Sequence, residues 1–330
     1  MNATGSIPLS SSCCGATNRR AMHWTARWWM LPERREPVCR AGEIGPAGVA
    51  VGARGSYMAA MTHFQNILIV GFGNMAGAMA EGWLAAGVPA ATFTIYHPTR
   101  TEAPAGMAII NDWPDGEPFD AVIVGVKPQK LGDVADGLER VVGPGTVVIS
   151  ILAGVELASL ARRFPRARGV VRLMPNLAVA LRKSPNALIA QGLDDAARQT
   201  VTDMAAMLGS AEWLAEEAQF DLVTALAGSG PGFVYRFIDA LAAGATRLGL
   251  EHEQAQRLAM QMVEGAAALA ARSPDSPADL ARRVASPGGM TQKGLDVLDE
   301  DDALARLLTE TLRAARDRGR EMAAAARDEG

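Results

Sequence analysis

A six-residue stretch near the end of the chain could bind an anion. Residues 286–291 read Ser-Pro-Gly-Gly-Met-Thr and interrupt an otherwise helical pattern. Proline lacks a backbone N–H and glycine carries a high conformational entropy cost, so this is a costly place to break a helix. One interpretation is an ordinary turn between two helices. The other is an anion site, in which free backbone N–H groups at the start of a helix bind a negatively charged ligand. The predicted ligand-binding residues are Gly288, Gly289, Met290 and Thr291.

A second glycine-rich stretch lies in the first third of the chain. It reads Gly71-Phe72-Gly73-Asn74-Met75-Ala76, follows an apolar run at residues 67–70 and opens a helical pattern. Gly71 permits a tight turn, Gly73 lets a pyrophosphate approach the backbone, and Ala76 lets the helix pack closely on the strand. We therefore predict a dinucleotide-binding turn made of these six residues. The alternative is a glycine turn that serves packing alone.

The end of the second predicted strand indicates which dinucleotide binds. NAD sites place Asp or Glu there to accept a hydrogen bond from the ribose 2′-hydroxyl. Residues 95–100 read Ile-Tyr-His-Pro-Thr-Arg and contain no acid. The Thr99 hydroxyl and the Arg100 guanidinium suit a 2′-phosphate instead. We predict NADPH as the cofactor, with NADH as the alternative.

Four further positions are predicted to contribute to the cofactor site. Residues 126–128, Val-Lys-Pro, end the fourth predicted strand, beside the crevice where doubly wound sheets hold their ligands. We predict that Val126, Lys127 and Pro128 line the nicotinamide half of the site. Asn111, at the end of the third predicted strand, is also assigned to cofactor binding.

The elements that position these residues follow from hydrophobic periodicity. Buried apolar runs alternate with crossovers, which is typical of a parallel, doubly wound sheet. The predicted strands lie at residues 67–70, 91–97, 107–111, 120–128, 146–152, 186–192 and 212–217.

From Phe220 onward the strand pattern ends and apolar residues follow helical spacing. Such stripes form either a core or a buried dimer interface. We predict an α/β fold with a Rossmann-type doubly wound sheet at residues 61–217 and an all-helical dimerisation domain at residues 218–330. The stripes contain Phe233, Phe237, Leu241, Ala245 and Leu248, then Leu258, Met262, Ala266 and Leu269, and finally Leu304, Leu307, Leu308, Leu312 and Ala315.

Composition excludes several classes of protein. The net charge of −4 gives no reason to expect a nucleic acid partner, and no apolar run is long enough for a membrane helix. All three cysteines lie in the first 40 residues, at Cys13, Cys14 and Cys39, so we predict no metal site and a cytoplasmic location. Residues 1–60 have no helical or strand period. They are predicted to be a disordered extension or sequence upstream of the true start.

From about residue 65 to about residue 325, the chain resembles the pyrroline-5-carboxylate reductase family. The resemblance is carried by the segments GFGNMA, VKP, SILAG, RLMPN, LAGSGPGFVY and SPGGMT. It implies NAD(P)H-dependent reduction of 1-pyrroline-5-carboxylate to L-proline, the last step of proline biosynthesis. It also implies a homodimer, which can assemble further into decamers, and a small-molecule substrate.

The resemblance further implies roles for two side chains at residues 286–291. The anion bound there would be the substrate carboxylate, which would place the C=N bond over the nicotinamide. Thr291 matches the family threonine whose hydroxyl lies near the ring nitrogen. That hydroxyl can orient the nitrogen or relay a proton, but it is not a strong acid near pH 7. Ser286 matches a serine that borders cofactor and substrate, so Thr291 and Ser286 are the predicted catalytic residues.

Three departures from the family pattern keep two other functions open. Leu177-Ala178 stand where the family has Thr-Pro, Met290 is bulkier than the usual residue before Thr291, and Arg283 stands where some members have Asn. A reductase of another cyclic imino acid, such as a six-membered ring, would be shaped by Met290 and Arg283. A paralogue that binds NADP without catalysis would rest on Leu177-Ala178, whereas the presence of Thr291 favours catalysis.

Overall fold

The computed structural model of the protein describes residues 64–104, 106–116 and 118–328, so the predictions for residues 1–60 lie outside it. One eight-stranded sheet occupies the first part, and helices make up the rest. The strands are β1 (Ile67–Val70), β2 (Phe93–Tyr96), β3 (Ala108–Ile110), β4 (Ala121–Val124), β5 (Val147–Ser150), β6 (Gly169–Met174), β7 (Ser184–Gln191) and β8 (Gly209–Trp213).

The strand order creates a crevice at the edge of the sheet where the parallel strands end. The order is β3-β2-β1-β4-β5-β6-β7-β8. Strands β1 to β6 are parallel, β7 is antiparallel to β6, and β8 is parallel to β7. After β1 the chain builds outward to β3 and then returns to place β4 on the other side of β1. Ligands bind at such a switch point, beyond the carboxyl ends of the strands. The predicted doubly wound sheet is confirmed.

Helices cover both faces of the sheet because its central strands are apolar on both sides. Ile67 and Ile69 face the layer that contains Trp83, and Leu68 and Val70 face the opposite layer. Each fully buried side chain of this size stabilises the fold by about 1.5–3 kcal/mol. The helices in this part are α1 (Asn74–Ala85), α2 (Ala135–Val141), α3 (Leu157–Arg163) and α4 (Asp195–Ala206).

Three strands differ from the sequence prediction by three residues or more. The fourth strand ends at Val124 rather than Pro128, because the chain turns at Gly125, and Pro128 begins a short 3-10 helix. Strand β8 begins at Gly209, three residues before the start predicted for it at residue 212. Strand β6 was not predicted at all, because Arg172 interrupts its apolar run.

Arg172 is buried because its charge is matched from the start of the helical part. Only 3% of the residue is exposed, and its Nη1 lies 2.7 Å from Oε1 of Glu217. The same carboxylate oxygen accepts a hydrogen bond from the N–H of Leu157, and the guanidinium lies 3.8 Å above the Phe220 ring. Removing one partner of a buried ion pair leaves an uncompensated charge, so these contacts fix β6 to the start of the helical part.

The helical part contains α5 (Phe220–Val223), α6 (Gly230–Arg247), α7 (His252–Ala270), α8 (Pro277–Val284), α9 (Met290–Asp299) and α10 (Ala303–Asp328). A π-helical turn, Thr224–Gly228, joins α5 to α6. Helices α6 and α7 pack as a hairpin around a small core of Ile238, Ala242, Ala255 and Ala259. Among the described residues, none of the helices combines the length and the apolar character that crossing a membrane requires.

Many large apolar side chains of the helical part are exposed on the single chain. The stripes predicted from the sequence are present, but several of their residues face solvent. Exposed leucines and methionines in the stripes include Leu241, Leu258, Met262, Leu269, Leu307 and Leu308. Contiguous exposed apolar surface of this kind marks an interaction site.

Candidate active site

The turn between β1 and α1 has the geometry predicted for a dinucleotide site. Gly71 has φ +86°, a conformation that costs a side-chain-bearing residue about 1–2 kcal/mol. A Cβ on Gly71 would lie 2.7 Å from the Val126 nitrogen and 2.9 Å from the carbonyl carbon of Gly125. The β1 and β4 turns therefore touch backbone to backbone. Only glycine fits at this position.

Gly73 faces open space in the same turn. It is exposed, its φ is −85°, and a Cβ built there would meet no atom within 4 Å. It is also the residue before α1, so the first N–H groups of a twelve-residue helix follow it. This is an open face with bare N–H groups at a helix start, which is what a pyrophosphate requires. Asn74 is exposed beside it, Met75 is half-buried, and Ala76 is buried in the core.

The loop after β2 brings Arg100 over this turn. The Nη1 of Arg100 lies 3.4 Å from the Phe72 carbonyl oxygen, and the guanidinium carbon lies 5.4 Å from the centre of the Phe72 ring. Thr99 is exposed next to it. The backbone N–H groups of Thr99 and Arg100 both donate to Nδ1 of His97. A cation therefore stands beside the glycine turn, at the end of β2, where the 2′ position of the adenosine ribose is read.

Asn111 shapes this loop. Its amide nitrogen donates to the His97 carbonyl oxygen at 2.6 Å and to the Arg100 carbonyl oxygen at 2.8 Å. The amide group thus holds both ends of residues 97–100. The assignment of Asn111 to cofactor binding stays a prediction, and the geometry gives it a supporting place behind Arg100.

The predicted nicotinamide-lining residues follow the end of β4. Val126 packs directly against Gly71, and Lys127 is exposed. Pro128 occupies the first position of a 3-10 helix, where its missing N–H costs no hydrogen bond. These three residues lie at the switch point between β1 and β4, so the structure brings the predicted cofactor-binding residues of both strands together.

The segment at residues 286–291 is a turn into the N-terminus of α9. Gly288 has φ +70°, and Gly289 precedes the first turn of α9 with no side-chain cap. The Gly289 N–H donates to the Ser286 carbonyl oxygen at 2.9 Å, so this N–H is not free, contrary to the prediction. The N–H groups of Met290 and Thr291 have no hydrogen-bond partner among the described residues. The same holds for the Gly288 N–H, so within the described part of the chain only the Gly289 N–H is lost from the four predicted groups of the anion site.

The side chains of this segment are accessible. Ser286 and Thr291 are exposed, and Met290 is 94% exposed. In the part of the chain that the structure describes, the Thr291 hydroxyl makes no hydrogen bond, so it caps no helix and is free for a ligand. Arg283 forms an ion pair with Asp275, so its guanidinium is engaged away from this turn.

One turn further along α9 stands an ionised carboxylate. The Gln292 amide and then the Lys293 ammonium lower the pKa of Asp296 below its ordinary value. Asp296 is therefore an anion at neutral pH and is not a proton donor for chemistry near Thr291.

Asn176 lies at the ligand-binding edge of the sheet, and the sequence pattern predicts no role for it. It follows β6 at the carboxyl edge of the sheet, is only 6% exposed, and its side chain bonds to the π-helical turn. Its neighbours Leu177 and Leu181 are 44% and 69% exposed. Its place in the segment RLMPN was the only signal for it, and a hydrogen bond across 51 residues has no periodic pattern in the sequence.

Two family models match the chain. One, described as pyrroline-5-carboxylate reductase dimerisation, matches residues 217–322. The other, described as NADP oxidoreductase, coenzyme F420-dependent, matches residues 66–154. The pyrroline-5-carboxylate reductase of Pseudomonas aeruginosa is 35% identical over 264 residues, which cover 78% of this chain and 96% of that protein. The corresponding protein of Aquifex aeolicus is 35% identical over 237 residues, covering 70% of this chain and 88% of that protein.

Solved structures agree with these matches. A pyrroline-5-carboxylate reductase from Coxiella burnetii superposes with a TM-score of 0.73 at 29% identity, covering 78% of this chain and 98% of its own. A Plasmodium falciparum pyrroline carboxylate reductase with NADP bound gives a TM-score of 0.66 at 22% identity, covering 79% and 99%, and shows the shared fold. With the sheet, the glycine turn and the helical part all matched, the chain belongs to the pyrroline-5-carboxylate reductase family.

Proposed function

We propose that the protein reduces 1-pyrroline-5-carboxylate to L-proline with NADPH, as a step of proline biosynthesis. The observation that carries this proposal is the pairing of two sites on one chain. The open glycine turn at Gly73 suits a dinucleotide, and the bare N–H groups at Met290 and Thr291 suit a carboxylate. Chains of this family 35% identical to this one are named for that reaction.

The cofactor is held at the carboxyl edge of the sheet. Gly71 keeps the β1 and β4 turns in contact, and Gly73 leaves room for the pyrophosphate at the start of α1. Arg100 faces the 2′-phosphate, and Val126 to Pro128 lie toward the nicotinamide. When bound at this edge, the reduced nicotinamide supplies a hydride, which is one proton with two electrons.

The substrate is held by its carboxylate at the start of α9. The N–H groups of Met290 and Thr291 bind this charge without an arginine, and the helix dipole favours it. The hydride adds to the carbon of the C=N bond, and the nitrogen, protonated from water, becomes the amine of proline. The Thr291 hydroxyl orients that nitrogen, and Ser286 borders the same space. Because solution protonation supplies the proton, no histidine is needed.

The reaction is tested by following NADPH absorbance with pyrroline-5-carboxylate as the substrate, and by identifying proline among the products. The six-membered homologue is assayed in parallel, because the 94% exposed Met290 could border a larger ring. Preference for pyrroline-5-carboxylate in kcat/KM supports the proposal. Preference for the six-membered ring would support the second candidate, and turnover of neither would refute both.

Cofactor preference depends on Arg100. Arg100→Ala should raise the KM for NADPH about 10-fold or more and leave the KM for NADH within about 2-fold, because a hydrogen bond to a charged group contributes about 1.5–3 kcal/mol. Arg166→Ala, at an exposed arginine after α3, is the control and should change neither. Equal effects of Arg100→Ala on both cofactors would show that Arg100 does not bind the 2′-phosphate.

A homodimer, able to assemble further into a decamer, is part of the proposal. It is supported by the dimerisation model at residues 217–322 and by the exposed apolar residues of α7 and α10. Leu308→Asp places a charge on that surface and should weaken association about 10²-fold or more, since burying an unpaired charge costs several kcal/mol. Leu181→Asp, at a leucine outside the matched range, is the control. Sedimentation that shows a monomeric wild type would contradict the dimer.

A cytoplasmic location belongs to the same proposal and is supported by the lack of cysteine after Cys39.

A further inference from the structure

Asn176 joins the carboxyl edge of the sheet to the π-helical turn Thr224–Gly228. Its Oδ1 accepts a hydrogen bond from the Ala178 N–H at 2.9 Å and thereby caps the 3-10 helix that follows β6. Its Nδ2 donates to the Ala227 carbonyl oxygen at 2.9 Å. One buried amide thus uses its acceptor within the sheet part and its donor in the helical part. The bond to the Ala227 carbonyl is available to neither aspartate nor serine at this position, since aspartate lacks the donor and the serine hydroxyl is too short.

The Ala227 carbonyl needs this partner for a reason that lies in the sequence. In a regular helix its hydrogen bond would come from the residue four positions on, which is Pro231, and proline has no N–H. The next N–H, that of Gly232, donates to the Ser229 carbonyl oxygen. Pro231 therefore leaves the carbonyl without an intrahelical donor, and Asn176 supplies one.

The π-helical turn packs against the carboxyl end of β6. Met174, the last residue of β6, lies against Gly228, whose Cβ would stand 3.8 Å from the Met174 sulfur. The turn thus rests on the carboxyl end of β6, the edge at which this sheet holds its ligands. π-Helical turns are found frequently at functional sites. Helix α6 begins directly after this turn and leads into the part that carries Thr291.

We infer that Asn176 is a positioning residue, which sets the helical part relative to the sheet so that hydride donor and acceptor meet at reacting distance. The inference rests on the proposed function, because it assigns the cofactor to the sheet and the substrate to α9. Reacting atoms must stand about 3–3.5 Å apart, and a displacement of about 1 Å can lower the rate about 10²-fold. Asn176 touches neither ligand in this scheme. It acts through the turn.

The test uses Asn176→Ser in the full chain. Serine is a good cap and keeps the bond from the Ala178 N–H, but its hydroxyl is too short to reach Ala227. We expect kcat to fall by about 10-fold to 10²-fold. The dissociation constant for NADPH should stay within about 2-fold, because the glycine turn is untouched. A larger primary isotope effect with deuterated NADPH should show that the hydride step has slowed.

The matched control is Asn186→Ser. Asn186 is also a buried asparagine, but its amide donates to the carbonyls of Ser184, Ala205 and Ser210, none of which lies in the helical part. The Asn186→Ser substitution should lower the melting temperature and leave the kcat of the folded protein unchanged. An equal loss of kcat in Asn186→Ser, or an unchanged kcat in Asn176→Ser, would overturn the inference.

A second variant, Pro231→Ala, tests the hydrogen bond between Asn176 and the Ala227 carbonyl directly. Pro231→Ala restores an N–H four residues after Ala227, so the carbonyl no longer depends on Asn176. In that background, the loss of kcat caused by Asn176→Ser should shrink by at least about 3-fold, a coupling within the range for residues in contact. Strictly multiplicative effects of the two changes would count against the inference.

Amide hydrogen exchange keeps this test independent of the reaction. In Asn176→Ser, exchange at residues 224–232 should become faster, while in Asn186→Ser it should not. Unchanged exchange at residues 224–232 in Asn176→Ser would refute the role of this hydrogen bond, even if both variants had a low kcat. If wild-type protein reduced neither imine, the proposed function would fail, and the exchange experiment would still decide whether Asn176 holds the turn.

Discussion

Replacing Thr291 with alanine should lower turnover by about 10²–10⁴-fold, the range for losing one acid–base or orienting group, while substrate still binds. The hydroxyl is lost but the backbone N–H remains, so the carboxylate keeps its contacts at the start of α9. The structure removes the main competing explanation. Gly289 rather than Thr291 precedes the helix, and the Thr291 hydroxyl bonds to nothing among the described residues.

Steady-state kinetics with pyrroline-5-carboxylate will measure this effect, with melting temperature as the check on folding. Because the exposed side chain makes no bond to the described protein, the free energy of unfolding should change by less than about 0.5 kcal/mol. Thr291→Ser keeps a hydroxyl at the same place and should retain most of the activity. Full turnover of Thr291→Ala would mean that the hydroxyl takes no part in the reaction.

The sheet could be predicted from sequence wherever apolar residues ran without interruption. β1, β4 and β5 are such runs, and both faces of each are covered. β6 was missed because a central strand with arginine in it looks polar, and the compensating Glu217 lies 45 residues away. A pattern within one segment carries no information about a partner on another. The antiparallel direction of β7 likewise depends on packing, not on its own residues.

The cofactor half of the site was more predictable than the substrate half. Gly71 and Gly73 lie in one local turn, whose chemistry depends on φ angles and on the absence of side chains. The anion site was predicted with four N–H groups, but Gly289 uses its own N–H within the turn. Asn176 had no predicted role, because its importance arises from Pro231, whose missing N–H leaves a carbonyl free on a distant segment.

The two glycines of the cofactor turn should fail in different ways when each is replaced with alanine. Gly71→Ala puts a side chain at φ +86°, with its Cβ within 2.9 Å of two backbone atoms of the β4 turn. It should lower the free energy of unfolding by at least about 1–2 kcal/mol and weaken NADPH binding because the turn shifts. Gly73→Ala meets no atom within 4 Å and needs no unusual φ, so its melting temperature should equal that of the wild type.

Gly73→Ala should nevertheless weaken NADPH binding about 10²-fold, because the new methyl group occupies the space through which the pyrophosphate reaches the N–H groups of α1. Losing one or two hydrogen bonds to a charged group, at about 1.5–3 kcal/mol each, accounts for this factor. Gly145→Ala is the control: this glycine is also exposed, with open space around its Cβ, but it lies before β5 at the opposite edge of the sheet. Fluorescence titration and thermal melts measure both quantities. Normal NADPH affinity in Gly73→Ala would place the pyrophosphate elsewhere, since a bound phosphate at this turn and a methyl group on Gly73 cannot occupy the same volume.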